Sequence, residues 1–167
     1  MKKILFIVTM MLVTSYGISA QEVKTKYQGE FDLSYSIGTG TFSTNRVNIH
    51  TIHGTKIGNI FSLGVGFGLD YYHEIYEKRE LFIPIFANVK GYLPVNDKFS
   101  PFLSLDLGYS VGATLGVKDL GGFMWSQAVG IKYDKLKFQI GYTSQELSED
   151  GIGIRMNAIQ LMLGIVF

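Results

Sequence analysis

Hydrophobic and polar residues alternate along most of the chain after about residue 30. The clearest example is the run from Phe61 to Tyr71, where large apolar side chains occupy every second position and glycine, serine or aspartate fills the positions between. A period of two predicts a β-strand, because successive side chains of a strand point to opposite faces. After Ala20 no segment shows a clear three-to-four-residue apolar period. The pattern therefore predicts an all-β protein.

About eight such runs are present, at 30–37, 46–53, 61–71, 81–93, 103–111, 123–132, 138–143 and 157–167. The second run is the weakest, because Ile52 and His53 break its alternation. The fourth contains Pro84, which lacks the N–H group that a strand ladder uses. We therefore expect pairing of this strand to begin near Ile85, or a bulge at that point.

The connections between the runs alternate between two groups. The group at 54–59, 94–101 and 133–136 is shorter on average than the group at 38–45, 73–80, 112–122 and 144–154. We interpret 73–80 and 144–154 as solvated polar loops. An even number of strands with alternating short and long connections is typical of bacterial outer-membrane barrels. The predicted fold class is an eight-stranded antiparallel up-and-down transmembrane β-barrel.

The last run, Asn157 to Phe167, has the length of a tilted strand that crosses a bilayer, which needs about nine to eleven residues. It also ends on an aromatic residue, Phe167. This ending resembles the C-terminal signal of Gram-negative outer-membrane barrels, which implies recognition of Phe167 by the barrel assembly machinery. In a closed barrel this strand must pair with the first one.

The N-terminus has the layout of a cleavable signal peptide. Lys2 and Lys3 precede an apolar run, Ile4 to Val13, that is too short to cross a membrane as a helix. An N-terminal membrane anchor is therefore the less favoured alternative. We predict a signal peptide at 1–20 and an outer-membrane β-barrel domain at 21–167.

Composition narrows the function classes. Without Lys2 and Lys3 the 15 basic residues become 13 against 14 acidic ones, so the mature chain is close to neutral and shows no nucleic-acid footprint. Charged residues make up 17% of the chain, below the roughly 25% of an average soluble protein. The absence of cysteine excludes a lipoprotein anchoring site and a disulfide framework.

The two faces of the strands indicate which side meets lipid. The face opposite the apolar one carries small residues, as in Gly64, Gly66 and Gly68, which suit a narrow lumen filled by side chains better than a soluble exterior. The apolar face carries almost no charge. We therefore expect the apolar face to point outward into lipid. A soluble lipocalin-like barrel, with its apolar face inside, is the alternative.

Polar residues on the inward face are predicted to form a network that plugs the lumen. These are Asp32, Asn88, Lys90, Asp106, Lys132, Gln139 and Gln160. Buried charges must be paired to be tolerated, so we expect Asp106 to have Lys132 or Lys90 as its counter-charge. An eight-stranded lumen is just wide enough for side chains, which makes an open pore the weaker hypothesis.

Aromatic residues are placed where interfacial girdles belong. We expect Tyr71, Tyr109, Phe123 and Trp125 near the outer rim, and Phe31, Tyr133 and Phe167 near the inner one.

Several runs together resemble a known family. They are F-S-L-G-V-G-F-G-L-D-Y-Y, I-P-I-F-A-N-V-K-G-Y, P-F-L-S-L-D-L-G-Y-S and G-G-F-M-W-S-Q-A-V-G-I-K. The chain looks like a member of the OmpX/PorT-like family of small outer-membrane β-barrel domains. The resemblance implies the fold and the outer-membrane location. It leaves function open, because members serve as adhesins, stabilisers or secretion accessories, and fold does not fix function.

The sequence predicts no catalytic, cofactor or metal site. The glycines of 64–68 lie inside a strand, whereas a phosphate-binding loop needs a strand-to-helix turn. His50 and His53 fall on opposite faces, and the acidic set Glu146, Glu149 and Asp150 is better explained as a solvated loop than as a divalent-cation site with lipopolysaccharide. His73 and Glu74 lie near the outer rim without a serine placed beside them, as a lipid A-modifying enzyme would need.

The sequence thus predicts a monomer in the outer membrane with a structural or surface-interaction role, exercised through extracellular loops. Its expected partners are outer-membrane lipid, lipopolysaccharide and the barrel assembly machinery, with no nucleic acid and no cofactor. A narrow channel and a lipid A-modifying enzyme are the alternatives.

Overall fold

The computed structural model describes residues 24–40, 44–75, 78–113, 121–149 and 152–167. These residues form eight strands: β1 (Thr25–Thr39), β2 (Arg46–Ile57), β3 (Phe61–Ile75), β4 (Lys78–Tyr92), β5 (Phe99–Gly112), β6 (Gly121–Tyr133), β7 (Leu136–Glu149) and β8 (Ile152–Val166). Each strand pairs antiparallel with the next, and β8 pairs with β1 to close the barrel. The predicted fold class is confirmed.

The predicted signal peptide lies outside the described residues. In the part of the chain that is described, no helix is both long and apolar enough to cross a membrane.

The last strand closes the barrel, as its position in the sequence predicts. β8 pairs with β1 from Val166 opposite Glu30 to Asn157 opposite Thr39. Phe167 extends this ladder, because its N–H and C=O exchange two hydrogen bonds of 2.8 Å with Gly29. Both described chain ends therefore lie at one end of the barrel, which we call the terminal end. The opposite end is the far end.

The apolar side chains point outward. Along β1, Phe31 and Leu33 are 46% and 51% exposed, whereas Asp32 between them is 1% exposed. The same alternation runs around the barrel, so charged and amide side chains line the lumen. The lipocalin-like alternative is wrong, because its apolar face would have to be inside.

The second strand is more regular than the sequence suggests. β2 continues to Ile57, so the predicted turn at 54–59 shrinks to residues 58–60. Ile52 points into the lumen, where it packs with Phe86 and Met124, and His53 points outward. The alternation of direction is intact. Only the alternation of polarity fails, because the lumen at this level is apolar.

Pro84 neither begins the strand nor produces a bulge. β4 pairs with β3 on either side of the proline in one register, with Ile85 opposite Phe67 and Phe82 opposite Asp70. On the β5 side Pro84 lies opposite Ser110. The register shift in the β3–β4 hairpin occurs beyond Tyr72 instead. The strand tolerates the proline by interrupting the ladder locally on the β3 side.

Two segments predicted as loops are extended hairpins. β3 and β4 stay paired out to Ile75 and Lys78, and β7 and β8 to Glu149 and Ile152. At the far end, among the described residues, β2 pairs with β3 only as far as Tyr72, and β5 with β4 only as far as Phe82. β8 likewise extends past Asn157, where its pairing with β1 ends, whereas β7 stays paired with β6 as far as Ser148. Their polar composition therefore reflects strands that project into solvent, which a polarity pattern does not distinguish from loops.

We predict that the lumen is too tightly packed at Gly66 to accept a side chain. A Cβ atom at this position would overlap the ring of Phe86, which is buried among other lumen side chains. Gly66→Ala should lower the free energy of unfolding by about 1–3 kcal/mol, as overpacking does. Urea unfolding in detergent micelles would measure the change.

Gly91→Ala is the matched control, because the nearest atom to its added Cβ would be a ring carbon of Phe61 at 3.9 Å. It should change stability by no more than about 0.5 kcal/mol. Equal losses for the two variants would show that the packing against Phe86 is not the cause.

Candidate functional site

The lumen is the candidate site, and its terminal half holds an ionic network. Glu30 and Asp32 lie on the inward face of β1, with Lys90 on β4 and Lys137 on β7, all almost fully buried. Lys137 contacts the Glu30 carboxylate and lies 2.9 Å from Oδ2 of Asp32. Lys90 Nζ lies 3.0 Å from Oε2 of the same Glu30. Two lysines and two carboxylates thus neutralise one another, which is the condition for tolerating buried charge.

Amide and hydroxyl groups extend this network across the barrel. Lys90 donates to Oδ1 of Asn88 at 2.7 Å, and the Asn88 amide donates in turn to Asp106 and, at 3.0 Å, to Ser104. Toward the terminal end, Gln28 donates to Glu30 at 2.8 Å and to the Tyr92 hydroxyl at 3.0 Å. Beyond the lysine contacts, Glu30 and Asp106 each accept one amide hydrogen bond. Oδ1 of Asp32 has no hydrogen-bond partner among the described residues.

A second polar cluster occupies the middle of the lumen. Oδ1 of Asp70 accepts a hydrogen bond from Asn48 at 2.6 Å and lies 2.7 Å from Nε2 of His50. An ionised carboxylate has only acceptors, so Nε2 of His50 carries the proton in this contact. Asn48 also accepts from Ser36 at 2.8 Å. The ring of His50 packs against Phe86, with 5.3 Å between ring centroids.

The far end of the lumen is closed by an arginine and a hydrophobic cluster. Arg46 donates to Thr143 at 2.9 Å and to the Tyr72 hydroxyl, which itself donates to Gln145. The cluster lies beside this group and consists of Tyr72, Phe82, Leu147 and Met156. Polar clusters thus alternate with aromatic side chains along the barrel axis.

The sequence-predicted lumen residues fall into separate groups. Asp32, Asn88, Lys90 and Asp106 meet in the network of the terminal half. Gln160 belongs to the middle cluster, where it donates to Ser34 at 2.9 Å. Gln139 is buried, but its Oε1 has no hydrogen-bond partner among the described residues.

Lys132 is not the counter-charge of Asp106. It lies half-buried near the terminal end, opposite Ser100 and Lys137, whereas Asp106 lies opposite Ser126, six residues farther along β6. Lys90 is not in direct contact with Asp106 either, because Asn88 stands between them. The two-residue period predicted which face these residues lie on, but their positions along the barrel axis decide which residues they contact.

The predicted girdle residues all lie on the outward face. Toward the far end these are Tyr71, Tyr109, Phe123 and Trp125, and toward the terminal end Phe31, Tyr133 and Phe167. All except Trp125 are exposed; the Trp125 ring packs against Tyr142 at a centroid distance of 5.7 Å.

Several key lumen residues were missed by sequence reasoning. Glu30 and Lys137 lay at the ends of the predicted runs, and Arg46 began the weakest one. Tyr72 and Gln145 fell beside or inside segments interpreted as loops. Each has the inward parity of its strand, so extending the alternation outward by a few residues would have found them.

The weaker metal and catalytic candidates that the structure describes do not come together. Within the described residues, no group of three or more His, Asp or Glu side chains is placed to hold a metal. His50 is buried and His53 is exposed on the outward face, and Glu146 lies 3.9 Å from Arg155 at an exposed site. His73 is exposed, while Asp150 and the side chains of Glu74 and Glu149 lie outside the description.

We predict that Lys137 is essential to the buried network. Lys137→Met would leave Glu30 and Asp32 sharing Lys90 as their nearby cation, so the free energy of unfolding should fall by about 3–5 kcal/mol. Urea unfolding in phosphate-free detergent solution would measure the loss.

Lys132→Met provides the control, since this lysine lies directly across from Lys137 but forms no ion pair within the described residues. Its removal also removes a like-charge repulsion, so stability should stay the same or rise by up to about 1 kcal/mol. A comparable loss in both variants would indicate that the methylene stems matter more than the charge.

Comparison with known proteins supports the architecture. No protein-family model and no curated protein matches the sequence. Among solved structures, Neisserial surface protein A matches with a TM-score of 0.65 at 11% identity, covering 86% of this chain and 97% of that one. The N-terminal β-barrel domain of Pseudomonas aeruginosa OprF matches at 0.55, with 11% identity, 86% of this chain and 100% of that one.

The outer membrane enzyme PagL matches with the same TM-score, 0.55, at 14% identity over 80% of this chain and 98% of that one. At such identities the likeness concerns the fold and carries no activity. The chain has the fold of the small eight-stranded outer-membrane β-barrels.

Proposed function

We propose that this protein is a plugged outer-membrane β-barrel with a structural or surface-interaction role, exercised at its far end, which would face outside the cell. The observation that carries the proposal is the pairing of an apolar outward face with a lumen filled by mutually neutralised charges. A membrane barrel needs both features, because lipid surrounds it and side chains occupy its narrow interior.

The dimensions support a membrane location. The strands are 12 to 15 residues long, more than the nine to eleven or so that a tilted strand needs to cross a bilayer. The outward aromatic residues lie in two groups toward the two barrel ends, as expected for interfacial girdles. The connections at the terminal end are two to six residues long, which supports our assignment of that end to the periplasm.

The filled lumen favours a plug over a channel. Side chains with almost no exposure occur at all three levels: Lys90 in the terminal half, Asn48 in the middle, and Tyr72 and Phe82 at the far end. A conducting path would have to displace ion pairs and aromatic contacts at several levels.

The far end offers the surface for interaction. Among the described residues, β3 and β4 extend beyond their pairing with β2 and β5, and β8 pairs with β1 only as far as Asn157. Within that part of the chain, the backbone of residues 152–156 has no partner strand on the β1 side. Such edges can pair with an extended segment of another protein.

The remaining partners follow from the same placement. Outer-membrane lipid and lipopolysaccharide would surround a monomeric barrel, and the assembly machinery would recognise the last strand through Phe167. The exposed Phe167 ring lies over Gly29 beside the closing seam, which supports this role. If the role is recognition, Phe167→Ala should lower outer-membrane yield in cells more than refolding yield in detergent.

Lipid A modification is the competing function, and we propose that this protein does not carry it out. PagL shows that a barrel of this fold can be an enzyme. Here His73 is exposed, and its backbone N–H bonds to Asn45, but no side-chain hydrogen bond joins it to a nucleophile within the described residues. Nucleophilic catalysis needs such a contact or a close approach to it.

Two measurements test the proposed function. In planar bilayers the wild-type protein should produce no conductance steps, and the mass spectrum of lipid A should be the same with and without the protein. Regular conductance steps would show that the lumen is an open channel and is not plugged. A mass change in lipid A would establish an enzyme.

We further predict that β5 alternates between lipid and lumen. Leu105→Arg would place a cation in the middle of the apolar belt, at a cost of about 2–4 kcal/mol. The cysteine-free chain also permits single-cysteine labels. Labels at Leu103, Leu105 and Leu107 should be quenched by brominated lipid, and labels at Ser104 and Asp106 should be protected. Quenching without a period of two would contradict the membrane location.

A further inference from the structure

Three lysines surround the lumen mouth at the terminal end. Lys26 on β1, Lys56 on β2 and Lys132 on β6 all have the inward parity of their strands. Because β6 lies across the barrel from β1 and β2, the three side chains approach the mouth from two sides. We call this set the mouth lysines.

The register brings like charges unusually close together at this mouth. Lys26 lies directly opposite Lys56, and Lys132 directly opposite Lys137. Directly opposed like charges destabilise a sheet. Lys26 and Lys132 also both repel the Lys56 ammonium group.

The two lumen acids on β1 near the mouth are already committed to other lysines. Glu30 contacts both Lys90 and Lys137, and Asp32 contacts Lys137. In the terminal half of the lumen three carboxylates, Glu30, Asp32 and Asp106, face the five lysines 26, 56, 90, 132 and 137, a surplus of two positive charges. Within the described residues the mouth lysines form no ion pair.

The floor beneath this mouth is rigid. Lys56 Nζ lies 4.8 Å from the centroid of the Tyr92 ring, and that ring is buried against Phe102 at 5.5 Å. The Tyr92 hydroxyl is held by the hydrogen bond from Gln28. A cation fixed above an aromatic ring is pre-organised toward a ligand that enters from solvent.

From this geometry we propose that the mouth lysines form a binding site for a phosphate group. A dianionic phosphate would match the surplus of two charges, and lysine binds phosphate as a point-charge donor. The ligand could present its phosphate from a phospholipid headgroup at the rim or from a soluble molecule. The binding chemistry itself does not depend on the proposed function. Only the assignment of the ligand to the periplasm rests on it.

The test uses the full-length protein purified in a phosphate-free maltoside detergent. Inorganic phosphate is titrated by calorimetry at low salt, with chloride at matched ionic strength as the reference. We expect saturable binding that weakens with salt. Lys56→Met should lower the affinity about tenfold or more, as expected for loss of a charge-assisted contact. Lys98→Met, in the turn at the same end, removes the same charge outside the mouth and should change affinity less than twofold.

Stability supplies a second readout that a merely structural lysine would not give. Without phosphate, Lys26→Met should raise the urea midpoint, because it removes the repulsion with Lys56. Adding phosphate should raise the midpoint of the wild-type protein and leave that of Lys26→Met nearly unchanged, since a ligand stabilises the state that binds it.

A lack of saturable binding by the folded wild-type protein would overturn the proposal, as would an equal loss in Lys98→Met. A folded barrel migrates differently on a gel before and after boiling in detergent. This assay shows independently whether the protein is folded, so the absence of a phosphate site is distinguished from the absence of the barrel fold. Displacement of phosphate by polyglutamate at equal charge would also overturn it, because the mouth would then bind any polyanion.

The source of the phosphate is resolved in vesicles. Spin-labelled phosphatidylglycerol is compared with phosphatidylcholine for contact with the barrel. A preference for phosphatidylglycerol that disappears in Lys56→Met assigns a lipid headgroup. If wild type and Lys56→Met show the same preference for phosphatidylglycerol, while Lys56→Met alone loses binding of inorganic phosphate, the ligand is a soluble molecule.

Discussion

The structure depends on the sharing of Glu30 between Lys90 and Lys137. An outward apolar face forces the charged side chains of the strands into a lumen that is only as wide as the side chains themselves. There each charge must find an opposite charge or several hydrogen bonds. Glu30 links strands β1, β4 and β7 through two lysines, so three parts of the wall are held together across the lumen.

The lumen is organised in layers because polar and aromatic side chains share it. The ionic layer lies toward the terminal end, the Asn48–His50–Asp70 cluster in the middle, and Arg46 with Tyr72 at the far end. Phe86 stands between the ionic and middle layers, where it packs on His50. Phenylalanine side chains such as Phe86 fill space without needing hydrogen-bond partners, which limits how many polar groups the lumen must satisfy.

This arrangement also accounts for the uneven distribution of charge. Glu30 and Asp32 are neutralised by the two deeply buried lysines, so the mouth lysines form no ion pair within the described part of the chain. At the far end the lumen holds a hydrophobic cluster instead, beneath the projecting β3–β4 hairpin. The two ends of the barrel are thus chemically different, although one sheet forms both.

The sequence by itself determined the strands, their number and the direction of their faces. Asp32, Asn88 and Asp106 point inward, and Leu105 points outward, because a two-residue period leaves no other choice once one face is known. The sequence-based predictions are wrong where the polarity of a residue does not follow the geometry of its strand. The cases are the apolar Ile52 in the lumen, Pro84 within a ladder, and the polar hairpins at 73–75 and 145–149.

Tertiary structure alone decided the partners. Which lysine meets Asp32 depends on the stagger of β7 against β1 across the lumen, and these strands are more than a hundred residues apart. Parity places Lys132 and Lys137 on the same face, and the register sets them directly opposite each other. Only the placement of Glu30 and Asp32 on β1 gives Lys137 two carboxylate partners. A periodic sequence pattern predicts which way each side chain points. The position of that side chain along the axis of a closed barrel is set by the pairing of all eight strands at once.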